Sequence, residues 1–274
     1  MQIRAPAVAG AFYPDNIEKL TESISSCYIH KLGPGSIPPI NRKIFGAISP
    51  HAGYVYSGPV ASHVFHAITP HIPELFIIVG PNHWGIGKEI ATAKDCKWDT
   101  PLGKIEIDSE SAEYISTHYK IDVDFFSHTK EHSIEVQLPM IQHVTKNFKL
   151  LPISLIRQDR DVADMVGLAM AEVAKNKDAI IIGSSDFTHY EPNEIAYRND
   201  MSLINPILEL DVEKFYNILE ENNISACGYG AIASTMIACK SLGATKGELL
   251  KYATSGDITG GMSSVVGYGS IVFT

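Results

Sequence analysis

Three short apolar runs in this chain each end abruptly in a turn that carries histidine, and this arrangement limits the folds open to it. The runs are 44–48, 75–79 and 179–182, followed by the turns 49–51, 80–83 and 183–189. Short runs rich in β-branched residues and bounded by Gly, Pro, Ser or Asn are typical of buried strands in a parallel sheet. In open α/β sheets, ligands bind beyond the carboxyl ends of the strands. We therefore expect His51, His83, Asp186 and His189 to meet at one edge of a sheet.

The rest of the chain alternates helical and strand-like patterns. Apolar residues at helical spacing over 16–31 and 161–175 predict helices, and Gly58–Pro59 predicts the start of another. The composition, 45% hydrophobic and 19% charged over 274 residues, is that of an ordinary globular protein. We predict a single α/β domain over residues 1–274, a three-layer α/β/α sandwich around a mixed, largely parallel central sheet.

Charge and cysteine content exclude several classes of protein. The formal net charge is −9 and the chain has no cluster of Lys or Arg, which argues against nucleic-acid binding. No apolar stretch approaches the roughly 20 residues that span a bilayer, and the first 14 residues do not resemble a signal peptide. The four cysteines are scattered without a CxxC pair, so a disulfide framework is not expected. We expect a cytoplasmic protein that binds neither nucleic acid nor membrane.

Imidazoles and a carboxylate at one sheet edge predict a metal site. For His51 or His83 taken alone, an ordinary loop histidine bonded to nearby backbone is an equally open interpretation. Two such turns on neighbouring strands favour metal binding or catalysis. The 184–190 turn has more Ser, Asp, Thr and His than a structural turn needs, since each requires a partner when buried. It lacks the closing glycine of a nucleophile elbow, so a serine hydrolase is not favoured.

Two further positions are less distinctive. His132 lies between Glu131 and Glu135, and in a helix the two carboxylates would share a face. This pattern fits an acid–base or ligand pair, but the sequence alone favours a solvated helix start. Cys227 precedes a predicted helix, whose N-terminus would lower the pKa of the thiol. A small buried residue in a glycine turn is the simpler interpretation of Cys227.

Taken together, these motifs resemble the Memo family, whose prokaryotic members are protein B of the AmmeMemoRadiSam system. The matching segments run over nearly the full length of the chain: 4–14, 49–54, 80–83, 131–139, 184–189 and 227–228. The family is similar in fold to the class III extradiol dioxygenases, which are non-haem iron enzymes that open catechol rings. The resemblance therefore implies a dioxygenase-like fold for this chain.

The resemblance also implies a set of site residues. It places an iron or copper ion, with zinc as a third candidate in the purified protein, on the metal ligands His51, His83 and Cys227. Asp186 and His189 would lie beside the metal. For a redox enzyme at this site we predict His132, His189 and Asp186 as the catalytic groups, with His132 or His189 moving protons. A cysteine here stands where a two-histidine, one-carboxylate enzyme presents glutamate. Because a thiolate is softer and can be oxidised, ring cleavage itself is not implied.

Three functions follow as hypotheses. The first is a mononuclear iron or copper oxidoreductase of the dioxygenase-like class. The alternative is a non-catalytic binding or adaptor protein that recognises a peptide or small ligand in the strand-end cleft. The family resemblance suggests phosphotyrosine peptides, but the chain has no arginine cluster to hold a phosphate. The third, implied by the family name, is a role in a pathway with a radical-SAM protein and an AMMECR1-like protein. Whether the protein turns over a substrate is left open by the sequence.

Overall fold

A central sheet lies between layers of helices in the computed structural model, which describes residues 2–274. The strands are β1 Gln2–Arg4, β2 Gly46–Ser49, β3 Leu75–Pro81, β4 Ile90–Thr92, β5 Cys96–Trp98, β6 Ile105–Ile107, β7 Asp122–Val123, β8 Lys149–Leu155, β9 Ala179–Ser184, β10 His189–Glu191, β11 Gly247–Thr254 and β12 Val265–Phe273. The helices are α1 Ile17–Ile29, α2 Tyr54–Ala67, α3 Ser109–His118, α4 Gln137–Val144, α5 Arg160–Asn176, α6 Asn193–Leu208, α7 Val212–Glu221, α8 Tyr229–Ser241 and α9 Ser255–Thr259.

The sheet is mixed and its centre is parallel. The strand order is β1-β5-β6-β8-β3-β9-β2-β12-β10, and β8, β3, β9 and β2 run parallel to one another. At one side the long strand β12 runs antiparallel to β2 and also pairs with β11. β9 lies between β2 and β3, so the expectation that His51 and His83 follow neighbouring strands is wrong. The three apolar runs of the sequence are the strands β3, β9 and β2, in that order across the sheet. Their carboxyl ends share one edge, as predicted.

Helices cover both faces of the central strands. Along β3, Phe76 and Ile78 pack in a cluster with α1, α2 and α4, whereas Ile77 and Val79 face α5 and α8. This alternation is the two-residue period of a strand, and both faces are apolar because both are covered. The predicted three-layer α/β/α sandwich is confirmed. Within residues 2–274 no helix combines the length and the apolar character that crossing a membrane requires.

Helix α2 begins earlier than the sequence predicts. The predicted start was Gly58–Pro59, but α2 begins at Tyr54, whose backbone N–H donates to the carbonyl of Phe12 at 2.8 Å. Gly58 serves a different purpose, since a Cβ there would lie 2.5 Å from the sulfur of Cys27 in α1. The glycine therefore allows α1 and α2 to approach closely.

Candidate metal centre

Three histidines converge at the carboxyl-end edge of the sheet. One ring nitrogen from each of His51, His83 and His132 lies within 4.8 Å of the other two. The His83 and His132 rings are stacked with centroids 4.6 Å apart, and His51 meets them edge-on at 5.2 and 5.4 Å. His51 is buried, His132 is half-buried and His83 is exposed, so the group faces outward. Three imidazole nitrogens at this spacing form a donor set that can hold one metal ion.

The hydrogen bonds around His51 fix which of its ring nitrogens is free. Its Nδ1 lies 2.9 Å from Ser184 Oγ, and that hydroxyl donates its own proton to the Ser133 carbonyl at 2.6 Å. The hydroxyl can therefore only accept from His51, so we assign the proton to Nδ1 and leave Nε2 with a free lone pair. Metal-binding histidines commonly donate their second N–H in this way. The ring of His51 is thus arranged as a ligand.

A buried carboxylate performs the same task for His83. Glu131 Oε1 accepts from His83 Nδ1 at 2.9 Å and from the backbone N–H groups of His132 and Ser133, both at 2.8 Å. Oε2 accepts from the backbone N–H of His83 at 2.6 Å. Burial opposes ionisation of Glu131, but the His83 hydrogen bond, the neighbouring imidazoles and the Ser133 N–H outweigh it and lower its pKa to about 2. An ionised Glu131 therefore orients His83.

This arrangement corrects the favoured interpretation of the 131–135 segment as a solvated helix start. Glu131 and Glu135 are 3% and 0% exposed, and α4 begins only at Gln137. Each carboxylate instead accepts hydrogen bonds from distant parts of the chain, and Glu131 also accepts from the N–H groups of His132 and Ser133.

Two of the three imidazoles, those of His51 and His132, are held in the neutral state that metal binding requires. Burial, with a smaller contribution from His132 and His83, lowers the pKa of His51 well below its ordinary value. Burial is also the main cause that lowers the pKa of His132, to about 4. At neutral pH these two rings need not lose a proton to accept a metal ion.

Cys227 lies beside this group. Its Sγ is 3.2 Å from His51 Nε2, the unprotonated ring nitrogen, which can accept from the thiol in the absence of a metal; Cys227 is not one of the three clustered ligands. Burial and then the charge of Asp186 raise the pKa of Cys227. The expected lowering by the helix N-terminus is therefore wrong: Cys227 precedes the N-cap Gly228 of α8, and removal from water dominates. Its role as a metal ligand stays a prediction.

Asp186 and His189 lie in the same cleft as the histidines. Asp186 Oδ1 accepts from the backbone N–H of His51 at 2.8 Å, and burial is the main cause that raises the pKa of Asp186 to about 6. His189 is at the rim, with Nδ1 2.9 Å from the Ser225 carbonyl. The strand-end cleft has a volume of about 480 Å³ and is lined by Phe12, His51, Ala52, Gly53, Tyr56, His83, His132, Asp186, His189, Tyr190, Ser255, Ser264, Val266 and Tyr268. The catalytic roles predicted for His132, Asp186 and His189 remain predictions.

Sequence reasoning missed the residues that hold the ligands in place. Ser184 stood among several polar residues of its turn, with nothing to mark it as the partner of His51. Phe12 packs its ring 4.6 Å from that of His132, and only the family resemblance drew attention to its segment. The one local signal for Glu131 was a carboxylate adjacent to a candidate histidine.

Comparisons with known proteins agree with this fold. A family model described as Memo-like protein matches residues 4–272. A MEMO1 family protein of Nitrosopumilus maritimus is 55% identical over 273 residues and covers 99% of both chains. A MEMO1 family protein of Methanothermobacter thermautotrophicus is 46% identical over 272 residues, 97% of this chain and 98% of its own. The crystal structure of an uncharacterized protein from Escherichia coli K12 matches with a TM-score of 0.56 at 10% identity, covering 85% of this chain and 100% of that one, which shows the fold alone. The chain belongs to the family of Memo-like proteins.

Proposed function

We propose that the protein binds one iron or copper ion at the three-histidine group and carries out redox chemistry of the non-haem dioxygenase-like class. The observation that carries this proposal is the convergence of three imidazoles, two of them with Nδ1 already bonded to an orienting oxygen. Neutral imidazoles suit iron, copper and zinc. The nearby Cys227, if a bound metal displaces its thiol proton, would add a soft thiolate donor that suits copper. A bound metal of this kind would supply Lewis acidity or electron transfer on the open side of the group.

The chain offers its own groups for proton transfer. Asp186, with a pKa raised to about 6, can gain or lose a proton close to neutral pH. His189 has its Nδ1 bonded to a carbonyl, which leaves Nε2 to accept a proton from a ligand in the cleft. We propose these two residues as the proton-moving groups. His132 joins them only if it does not bind the metal.

The shape of the cleft supports a small-molecule ligand or a short peptide. Its volume lies in the range typical of small-molecule sites, and aromatic rings surround the histidines. Tyr56 and Tyr190 expose 43% and 77% of their surface there, which also favours the alternative of binding without turnover. We further propose that pathway partners, a radical-SAM protein and an AMMECR1-like protein, supply or receive this ligand. All four cysteines are free among residues 2–274, which suits the reducing cytoplasm that we propose as the location.

Metal analysis of protein purified without chelators tests the proposal. We expect close to one iron or copper per chain in the wild type, and loss of that metal in His83→Ala and His132→Ala. The matched control is His71→Ala, because His71 is an exposed histidine that faces Asp178 away from the cleft. Metal retained in the cleft variants would refute the site. Stoichiometric zinc in place of iron or copper would refute the redox assignment. A Cys227→Ser variant separates a three-histidine site from one that needs the thiol.

A further inference from the structure

Arg4 is a buried cation that touches none of the cleft. It is 1% exposed, and its Cζ lies 4.3 Å from the ring centroid of Trp98. Nε donates to the carbonyl of His128 at 2.7 Å, Nη2 to the carbonyl of Glu131 at 2.5 Å, and Nη1 to Glu135 Oε2 at 2.5 Å. A charge this deeply buried is tolerated only when it is paired and hydrogen-bonded. All three acceptors belong to the segment that carries Glu131 and His132.

Glu135 extends this network to the N-terminal part of the chain. Its Oε2 also accepts from the backbone N–H of Ala7 at 2.8 Å, and its Oε1 accepts from the hydroxyl of Tyr13 at 2.6 Å. The ion pair and its hydrogen bonds therefore connect residues 4–13 to residues 128–135. Phe12, which packs against the His132 ring, lies within residues 4–13.

We propose that Arg4 and Glu135 are positioning residues of the metal centre. Arg4 holds the backbone of Glu131 itself, the residue whose carboxylate orients His83 and binds the N–H of His132. A shift of the Glu131 backbone would move the carboxylate that orients His83 and the main chain that leads directly into His132. The planar fork of arginine reaches three separate acceptors at once, which a lysine ammonium cannot reproduce. This inference rests on the proposed metal site.

Cobalt binding separates a positioning role from a merely structural one. We would titrate metal-free protein with Co²⁺, well below the unfolding temperature, and record the visible absorption that reports the ligand set. Loss of an orienting contact typically weakens metal binding about 10- to 100-fold. We expect Arg4→Lys, which keeps the charge, to weaken Co²⁺ binding about tenfold and to change the absorption bands.

A second variant removes the pair without leaving a buried charge. Arg4→Met combined with Glu135→Gln removes both charges and keeps similar volumes. Because the amide NH₂ of glutamine would face the backbone N–H of Ala7 or Val8, the double variant's free energy of unfolding is measured beside its Co²⁺ affinity. We expect the same loss of Co²⁺ affinity. The control is Val166→Ala, a core substitution in the cluster against α5 and α8, which lowers stability but leaves Co²⁺ binding unchanged.

The outcomes are distinguishable. No Co²⁺ binding by the wild type would refute the proposed metal site. Wild-type affinity and spectrum in folded Arg4→Lys and in the double variant would leave the site intact and overturn the positioning role. A loss of affinity in Val166→Ala equal to that in the Arg4 variants would likewise assign the effect to general stability.

Discussion

Replacing Glu131 by glutamine tests the electrostatics of the site most directly. The carboxylate accepts four N–H groups, so an amide NH₂ in place of either oxygen would face a donor. A carboxyl pKa lowered from an ordinary 4.5 to about 2 corresponds to about 3 kcal/mol of native-state stability at pH 7, at ~1.4 kcal/mol per tenfold change in proton affinity. We expect Glu131→Gln to lower the free energy of unfolding of the metal-free protein by about that amount.

The dependence on pH has a definite sign. Because the pKa of Glu131 is lower in the folded state, its stabilising contribution is complete above about pH 4.5 and is lost as the pH falls toward 2. Glutamine does not titrate, so the difference between wild type and variant should fall to less than half between pH 7 and pH 3. Urea unfolding at both pH values measures it, with Glu22→Gln on the exposed face of α1 as the control. A difference equal at the two pH values would refute the reasoning.

Three further predictions concern stability. Since the pKa of His132 is lowered to about 4, the metal-free protein should lose stability as the pH falls from about 6.5 to 4. The melting temperature of His132→Gln should therefore change less with pH over this range than that of the wild type. Equal changes in melting temperature would contradict this. Tyr190 has φ 63°, a left-handed backbone conformation that a β-branched residue adopts poorly and glycine adopts freely. Tyr190→Val should therefore lower the free energy of unfolding in urea by about 1 kcal/mol, and Tyr190→Gly should lower it by less. Equal decreases would count against backbone strain. Gly267→Ala should lower the free energy of unfolding by about 3 kcal/mol, because its Cβ would lie 1.9 Å from the buried Asp200 carboxylate. Gly261→Ala serves as the control, since a Cβ there has room. Similar melting temperatures of the two variants would contradict this.

The centre of the fold could be predicted from the sequence because its signal is local. A strand covered on both faces is apolar throughout, and β2, β3 and β9 each end at a distinct turn. The shared direction of parallel strands then places His51 and His83 at one edge. No information from elsewhere in the chain was needed for that step.

The chemistry around the histidines could not be predicted because its partners are remote. Glu131 appeared solvated, yet its carbonyl meets Arg4 at a separation of 127 positions and its carboxylate meets His83 at a separation of 48. The pKa of Cys227 was misjudged for a related reason, since the helix start is visible in the sequence and the extent of burial is not. The start of α2 depended on Phe12, another distant contact.

The position of β2 within the sheet imposes an order on assembly. Its neighbours β9 and β12 both lie far downstream, and the amide of His51 is fixed by Asp186, 135 positions later in the chain. At about 5–20 residues per second, a ribosome needs on the order of 10 s to travel that distance. During that interval the strand has two open edges, which invite pairing with other chains. His51 also has no Ser184 to orient it, so the ligand geometry described above becomes available only after β9 has been synthesised and has docked.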